Sequence, residues 1–448
     1  MSEGIGKDEL SIPNGLALPR TLDDVDAAFM TGLLQARGIL DADNRVVSTE
    51  DSGVGMTAGY FSAIKKVKCQ YAAPTDAVDA FVVKTWPDME NAPKEQIADM
   101  FAKDIAAYSM SANGFYPRPK VYLADFDGAA DRWALLMDDA SAFGEQKLHE
   151  DEMSLDEVLH MIPKLVEVAV AWEGCHEGEK SDQLDALGVR HWGSEDNLTA
   201  FKQIMPGGAP LFDVVSSMPE SNLTSGKPWN ADLGENLARL FTNKMEAYYD
   251  LIRPHRGATC TLIHGDLRGD NLFFCPVSAN YPEGWLTIDF QLLAQGPVPS
   301  DLAYLMNSGS VLPEVYAGDN RDRVMRKFYE CYMDQTELYK NYTWEQFLQE
   351  YAVMATVLFV YYVGFGANIW QNGVTGESAA RVEVDGKGTT EAELAPEERR
   401  QRMWWRKAIA NFRATFEDFE FHAKLQSLPD NQGDMGPWYE LPERLKNS

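Results

Sequence analysis

The chain has 448 residues, 45% hydrophobic and 11% aromatic, which exceeds the usual single-core domain and gives ample material for two packed lobes. Forty Lys and Arg against 69 Asp and Glu leave a formal charge of -29, a field that repels nucleic acid and anionic membranes, so a phosphate site here has to be a local positive focus. Cys69, Cys175, Cys260, Cys275 and Cys331 are odd in number, widely spaced and free of any C-x-x-C pair, which excludes an obvious disulfide framework or zinc site and fits a reducing compartment.

The chain starts Met1-Ser2-Glu3-Gly4 with no basic stretch leading into an apolar run, so no secretory signal is expected and a cytoplasmic location is the default. Residues 1–45 read as an N-terminal extension, in which Pro13 and Pro19 precede the acidic amphipathic stretch TLDDVDAAFMTGLLQARGIL with Thr21 placed to cap a helix. From 46 to 138 the pattern is that of a small α+β lobe. SAIKKVKCQY and AVDAFVVKTW read as strands by β-branched content and period two, KEQIADMFAKDIAAYSMSA has helical spacing, and PKVYLADFDG and RWALLMDD return to strands. After residue 138 the chain, through 448, turns mostly helical, with two short strand-like pieces at CTLIHG and GWLTIDF. Residues 351–370 carry no charge and are long enough to span a bilayer, but Thr356, Asn368, three tyrosines, two glycines and the lack of a nearby Lys/Arg anchor favour a buried core helix, so no membrane span is expected. Residues 373–397, polar and rich in Gly, Thr and Glu, read as a surface loop or lid.

The sharpest chemical signal is His264-Gly265-Asp266-Leu267-Arg268-Gly269-Asp270-Asn271, where an Asp precedes an Asn by five positions just after an apolar run. One loop then presents a carboxylate for a hydroxyl proton, Asp266, and an amide oxygen for a metal, Asn271. Trp285-Leu286-Thr287-Ile288-Asp289-Phe290 follows, an apolar strand ending in a carboxylate where a second Mg²⁺ ligand has to stand. Asp and Asn also cap helices and make turns, so the first motif alone is weak. The conjunction of both motifs with an upstream strand lysine is what points to phosphoryl transfer. Upstream, Gly53-Val54-Gly55-Met56-Thr57-Ala58-Gly59 reads as a glycine-rich hairpin whose backbone amides can approach phosphates, with Gly53, Gly55, Thr57 and Gly59 as its contact positions.

HGDLRGDN, followed by IDFQ and then PSDLAYLM, resembles the aminoglycoside phosphotransferase and choline kinase superfamily, and within it the ecdysteroid-kinase-like, or CHK-kinase-like, branch; the likeness covers roughly residues 46–370. The resemblance implies a two-lobed protein-kinase-like α+β fold, with a small antiparallel-sheet N-lobe and a large, mostly helical C-lobe. It implies ATP as phosphoryl donor, Mg²⁺ as cofactor and a small-molecule hydroxyl acceptor. It gives Asp266 the base position, Asn271 and Asp289 the metal positions, Asp301 a bracing role behind the loop, and His264 a role in holding it. Lys84, ending the apolar run Ala80-Phe81-Val82-Val83, matches the lysine that pairs with the α/β-phosphates. Its acidic partner is Asp104 or, alternatively, Glu95. Met137, Asp138 and Ala140 match the linker that borders an adenine, the first by its side chain and the others by main-chain groups. Gln291 stands where protein kinases have the Gly of D-F-G. A Leu-His-Ala element frequent in relatives is missing: this chain has Leu165-Val166-Glu167-Val168-Ala169-Val170, with His176 displaced onward.

No A-P-E element follows Asp289, and PVPSDLAY arrives too soon for an activation segment, which disfavours a protein kinase; a pseudokinase is expected to lose a catalytic Asp or metal ligand, and none is lost. The acceptor is less legible. The resemblance points to a small organic alcohol, apolar or steroid-like, and Phe359, Tyr361, Tyr362, Trp370, Trp404 and Trp405 are available to line an apolar pocket. The acidic composition equally suits a cationic acceptor such as an aminoglycoside or choline-like alcohol.

Overall fold

The computed structural model describes residues 7–51, 62–86, 94–127, 132–147, 152–199 and 244–356, together with 411, 415 and 428–430. The glycine-rich hairpin, the acidic alternative Glu95 as a side chain, the 373–397 segment and the six aromatics named for the acceptor pocket all lie outside these residues. The chain divides into two compact units: residues 1–146 with 183–189 and 270–293 form one, and residues 147–182 with 190–269 and 294–448 form the other.

The first unit is built on a five-stranded antiparallel sheet, β1 (Val46–Asp51), β2 (Ala63–Tyr71), β3 (Ala80–Thr85), β4 (Val121–Asp127) and β5 (Arg132–Asp138), in the order β1-β2-β3-β5-β4. The pairs Val83↔Leu136 and Phe81↔Asp138 share one face, whereas Lys84↔Leu135, Val82↔Met137 and Lys66↔Val82 share the other. Val67, Phe81, Val83 and Leu136 pack against the N-terminal residues Phe29, Met30, Leu33 and Leu34. The extension therefore supplies the cover for one sheet face and leaves Lys84 on the opposite one.

After a first turn, α1 (Lys7–Leu10), the covering helix is α2 (Ala27–Ala36), and it starts later than its sequence suggests. Asp24 accepts the Arg20 and Thr21 amides at 2.8 and 2.9 Å, closing a separate 3₁₀ turn over Leu22–Asp24. Asp26 then caps α2 by accepting the Phe29 amide at 2.8 Å. Two capping carboxylates two residues apart thus split one amphipathic stretch in two. The helix α3 (Lys94–Ser109) follows β3 and stands where helical spacing places it.

Three very short strands complete this unit. β6 (Glu145–Gln146), β8 (Leu272–Phe274) and β9 (Trp285–Thr287) form an antiparallel sheet in the order β6-β8-β9, with Leu272 opposite Thr287. Ala140, Phe273 and Leu286 make its buried cluster, packed by Phe143, Tyr281 and Ile288.

The second unit is mostly helical among its described residues, with α4 (Leu155–Ala171) packed on a later helix over Asn320–Met333. A two-stranded ribbon pairs β7 (Thr261–Ile263) with β10 (Ala294–Gly296). Residues 344–356 are helical, and 351–356 are buried throughout, as a core helix requires; among the described residues no helix is long and apolar enough to cross a membrane. Glu350 of that helix is buried and receives the Thr259 amide at 2.7 Å, the Thr259 hydroxyl at 2.5 Å and the Tyr342 hydroxyl at 2.6 Å.

Candidate active site

In the sheet unit, Lys84 is fully buried and its ammonium donates to Asp104 Oδ2 at 3.3 Å and to Asp289 Oδ1 at 3.1 Å. Burial pulls the lysine pKa down, but the charges of Asp104 and Asp289 more than reverse this, and the group stands above the ordinary lysine value. Asp104 is buried too, which pushes its pKa up against the opposing effects of Lys84 and of the Phe290 amide, whose N–H it accepts at 2.9 Å. The lysine thus takes Asp104 as its acidic partner. Two carboxylates around one ammonium leave one formal negative charge in excess, so a cation or a rearranged ion pair is electrostatically welcome at Asp289, the most exposed of the three side chains.

Asp289 is also the single non-glycine residue with positive φ among the described residues, at φ 71°, ψ 67°. A side chain in this left-handed region costs about 1–2 kcal/mol, tolerated by Asp better than by most residues. The strain is held by the next residue. Phe290 is fully buried against Tyr108 and Phe115, at 5.3 Å between ring centroids in each case, and Tyr116 at 6.0 Å. Anchoring Phe290 while Asp104 binds its amide fixes the turn that projects Asp289. Gln291 turns its side-chain amide back to donate to Asp289 Oδ1.

Asn271 reaches the same end of the β8–β9 hairpin. One step beyond the Leu272↔Thr287 pair, its carbonyl accepts the Ile288 amide at 3.0 Å and the Thr287 hydroxyl at 2.9 Å. The hairpin register therefore sets Asn271 beside the residue that precedes Asp289, although 18 positions separate them in sequence. An amide oxygen and a carboxylate are hard oxygen donors, the set Mg²⁺ prefers. Among the described residues no group of three or more His, Cys, Asp and Glu is arranged to hold a metal.

The linker positions belong to this unit as well. Met137 is buried on the Lys84 face of the sheet, in register with Val82. Asp138 points the other way, accepting the Tyr122 hydroxyl at 2.6 Å and the Tyr281 hydroxyl at 3.2 Å, and burial raises its pKa against those two bonds. Its side chain is thereby committed, leaving only main-chain groups for a ligand. Ala140 packs on Phe273 and Leu286. The neighbouring Asp139 is paired with Lys66 at 3.4 Å and caps the following turn through the Ser141 amide at 3.0 Å.

In the helical unit, the loop before residue 270 is held from behind by a helix, Ser300–Asn307, all of whose residues are buried. Asp301 accepts the His264 amide at 3.0 Å and the Gly265 amide at 3.2 Å. Gly265 has φ 79°, a conformation a side chain would strain, and His264 Nδ1 accepts the Asp266 amide at 3.3 Å. Gly269 is needed for space, since a Cβ there would stand 2.6 Å from the Lys147 carbonyl. Asp266 itself receives the Tyr304 hydroxyl on Oδ1, with Arg268 Nε 3.2 Å from the same oxygen. Neither Tyr304 nor Arg268 was singled out by the motif reading. Tyr304 was findable, because it lies three residues after Asp301 in a helical segment and so on the same face.

The sequence profile described as the ecdysteroid kinase-like family matches residues 57–341, well over half of the chain. The protein belongs to the ecdysteroid kinase-like family. It is an ATP-dependent small-molecule kinase, and its described residues form an antiparallel-sheet N-terminal part and a mostly helical C-terminal part. Solved structures similar to this family member include the GDP complex of aminoglycoside 2'-phosphotransferase-IIIa, at 13% identity and TM-score 0.42 over 79% of this chain and 96% of that one. Plasmodium vivax ethanolamine kinase matches at 11% identity and TM-score 0.42, over 86% and 97%. Choline kinase LicA from Streptococcus pneumoniae matches at 14% and 0.36, over 76% and 93%. Likenesses this distant say nothing about the acceptor. No curated protein matches the chain.

Proposed function

We propose that this kinase transfers the γ-phosphoryl of ATP to a hydroxyl of a small, largely apolar organic alcohol, with Asp266 as base and Asn271 and Asp289 as ligands of Mg²⁺. The observation that carries the reading is the buried Lys84 held between Asp104 and a strained Asp289. In this reading Lys84 draws on the α/β-phosphates, Asp104 keeps it in place and charged, and Met137, with main-chain groups of Asp138 and Ala140, borders the adenine. Gly53, Gly55, Thr57 and Gly59 supply the glycine-rich turn over the phosphates. Asn271 and Asp289 would hold Mg²⁺, which supplies the positive charge that offsets the charge developing in transfer.

In this reading Asp266 accepts the hydroxyl proton as the new P–O bond forms and the bond to the leaving β-phosphate oxygen breaks. The proton goes to the carboxylate and ADP departs with the electron pair of the broken bond. The acceptor assignment is supported by the family's description, ecdysteroid kinase-like, and by the aromatic residues in the C-terminal half. An apolar wall rewards apolar area and penalises unpaired charge.

The test is a transfer assay with MgATP that compares a sterol alcohol, choline and an aminoglycoside at low and high salt, with mass detection of one added phosphate. The sterol alcohol is expected to show the highest kcat/KM and little salt dependence. Preference for the two cations, with steep loss at high salt, would replace the apolar acceptor by a cationic one recruited by charge.

A further inference from the structure

We infer that Tyr304 is a positioning residue for the phosphoryl-transfer step, its hydroxyl fixing the orientation of the Asp266 carboxylate through Oδ1 as that carboxylate takes the acceptor proton. This rests on the reading of Asp266 as base.

The helix Ser300–Asn307 presents two side chains of one face to three successive residues of the loop. Asp301, in its first turn, binds the amides of His264 and Gly265, which sets the backbone. One turn later the Tyr304 hydroxyl donates to Oδ1 of Asp266, which sets the side chain. Backbone bracing alone leaves the carboxylate free to rotate about χ1 and χ2, and a base has to stand within hydrogen-bond reach of the proton it removes. The phenol is itself buried, on a helix whose every residue is buried, so it is a fixed point and not a mobile surface donor.

The bond has an electronic consequence as well. A donor on a carboxylate favours its ionised form, the form a base needs. Among the groups that face Asp266 are Tyr304 from the helix, Arg268 at 3.2 Å and the His264 imidazole from its own loop, with Asp301 behind the loop amides. Arg268 and Tyr304 share Oδ1, and both favour the charge. Arg268 belongs to the same loop as Asp266, two residues on, whereas Tyr304 ties the carboxylate to a separate, fully buried helix of the helical unit. A tyrosine is suited to this task because it spans the gap as a rigid ring and ends in a single donor, where a lysine would bring a full charge and a serine would not reach.

Tyr304→Phe removes the donor and keeps the ring. It should lower kcat between about ten- and a hundredfold, the range expected when a hydrogen bond to a charged group is lost, with the affinity for MgATP unchanged. The acid limb of the kcat/KM profile should move to higher pH, since the base has lost a donor that favoured ionisation. A merely structural tyrosine would lower activity evenly across pH. Adding Tyr304→Phe to Asp266→Asn should cost nothing further, because the phenol acts only through that carboxylate.

If Tyr304→Phe loses MgATP affinity through misfolding, Tyr304→3-fluorotyrosine makes the test in the native shape, and its more acidic phenol should move the acid limb to lower pH. Wild-type kcat and an unmoved acid limb in these variants, with Asp266→Asn inactive, would overturn the role of Tyr304 and leave Asp266 as base. Full activity in Asp266→Asn would instead remove the base assignment on which it rests.

Discussion

Glu350→Gln isolates a buried acid in the helical unit. The Glu350 carboxylate is enclosed between Thr259, the residue two positions before strand β7, and Tyr342, and burial pushes its pKa from 4.5 up to about 7 against three donated hydrogen bonds. The folded chain therefore holds a proton that the unfolded chain releases between these values. Stability from this group is fully present below pH 4.5, falls as pH rises, and is lost above about 7. At about 1.4 kcal/mol per pH unit, the gap amounts to about 3 kcal/mol, most of it between pH 5 and 8. Glutamine is neutral at every pH, and its amide nitrogen can donate to the Tyr342 or Thr259 hydroxyls, whose rotors turn to accept. Urea unfolding of both proteins at pH 5 and pH 8 is the assay. The wild type should lose about 2.5 kcal/mol more than Glu350→Gln over that range. Equal losses in the two proteins would refute the argument, because they would place the titrating group elsewhere.

Three further outcomes are expected. Asp104→Ala strands the buried Lys84 with Asp289 alone and leaves the Phe290 amide without its acceptor, so denaturant titration should show a loss of about 3 kcal/mol, the low end for breaking a buried pair. Asp289→Ala and Asp289→Gly should both abolish Mg²⁺-dependent ATP binding in calorimetry, but the glycine variant should be more stable by about 1 kcal/mol because it adopts positive φ without strain. Asp266→Asn should reduce turnover a hundredfold or more in the transfer assay, with nucleotide affinity nearly intact, since positioned bases typically contribute about 10²–10⁴.

Much of this protein is legible before any coordinates are known. Four of the five strands of the large sheet, β2 to β5, are legible from their β-branched and apolar content over six to nine residues, long enough to separate a strand from a helix, whereas β1 (VVSTED) carries no such pattern. HGDLRGDN and IDF carry their chemistry in residue type and spacing. The strands β6, β8 and β10 escaped because two or three residues hold no periodicity, and what defines them is the partner across the ladder. The start of α2 escaped for a related reason: Thr21 and Asp26 are both competent caps, and local sequence does not say which turn packs on the sheet.

The sequence by itself determined the family, the kind of chemistry and the residue types that such chemistry requires. Tertiary structure decided which groups meet. It chose Asp104 as the partner of Lys84, because the choice depends on how α3 is rotated against β3. It put Asp289 into a left-handed conformation, because Phe290 is buried among three rings and its amide is claimed by Asp104. It brought Tyr304 onto Asp266 across 38 residues of chain. Each of these is a long-range contact, and a contact between distant segments is set by the packing of the whole unit, which no local pattern of residues encodes.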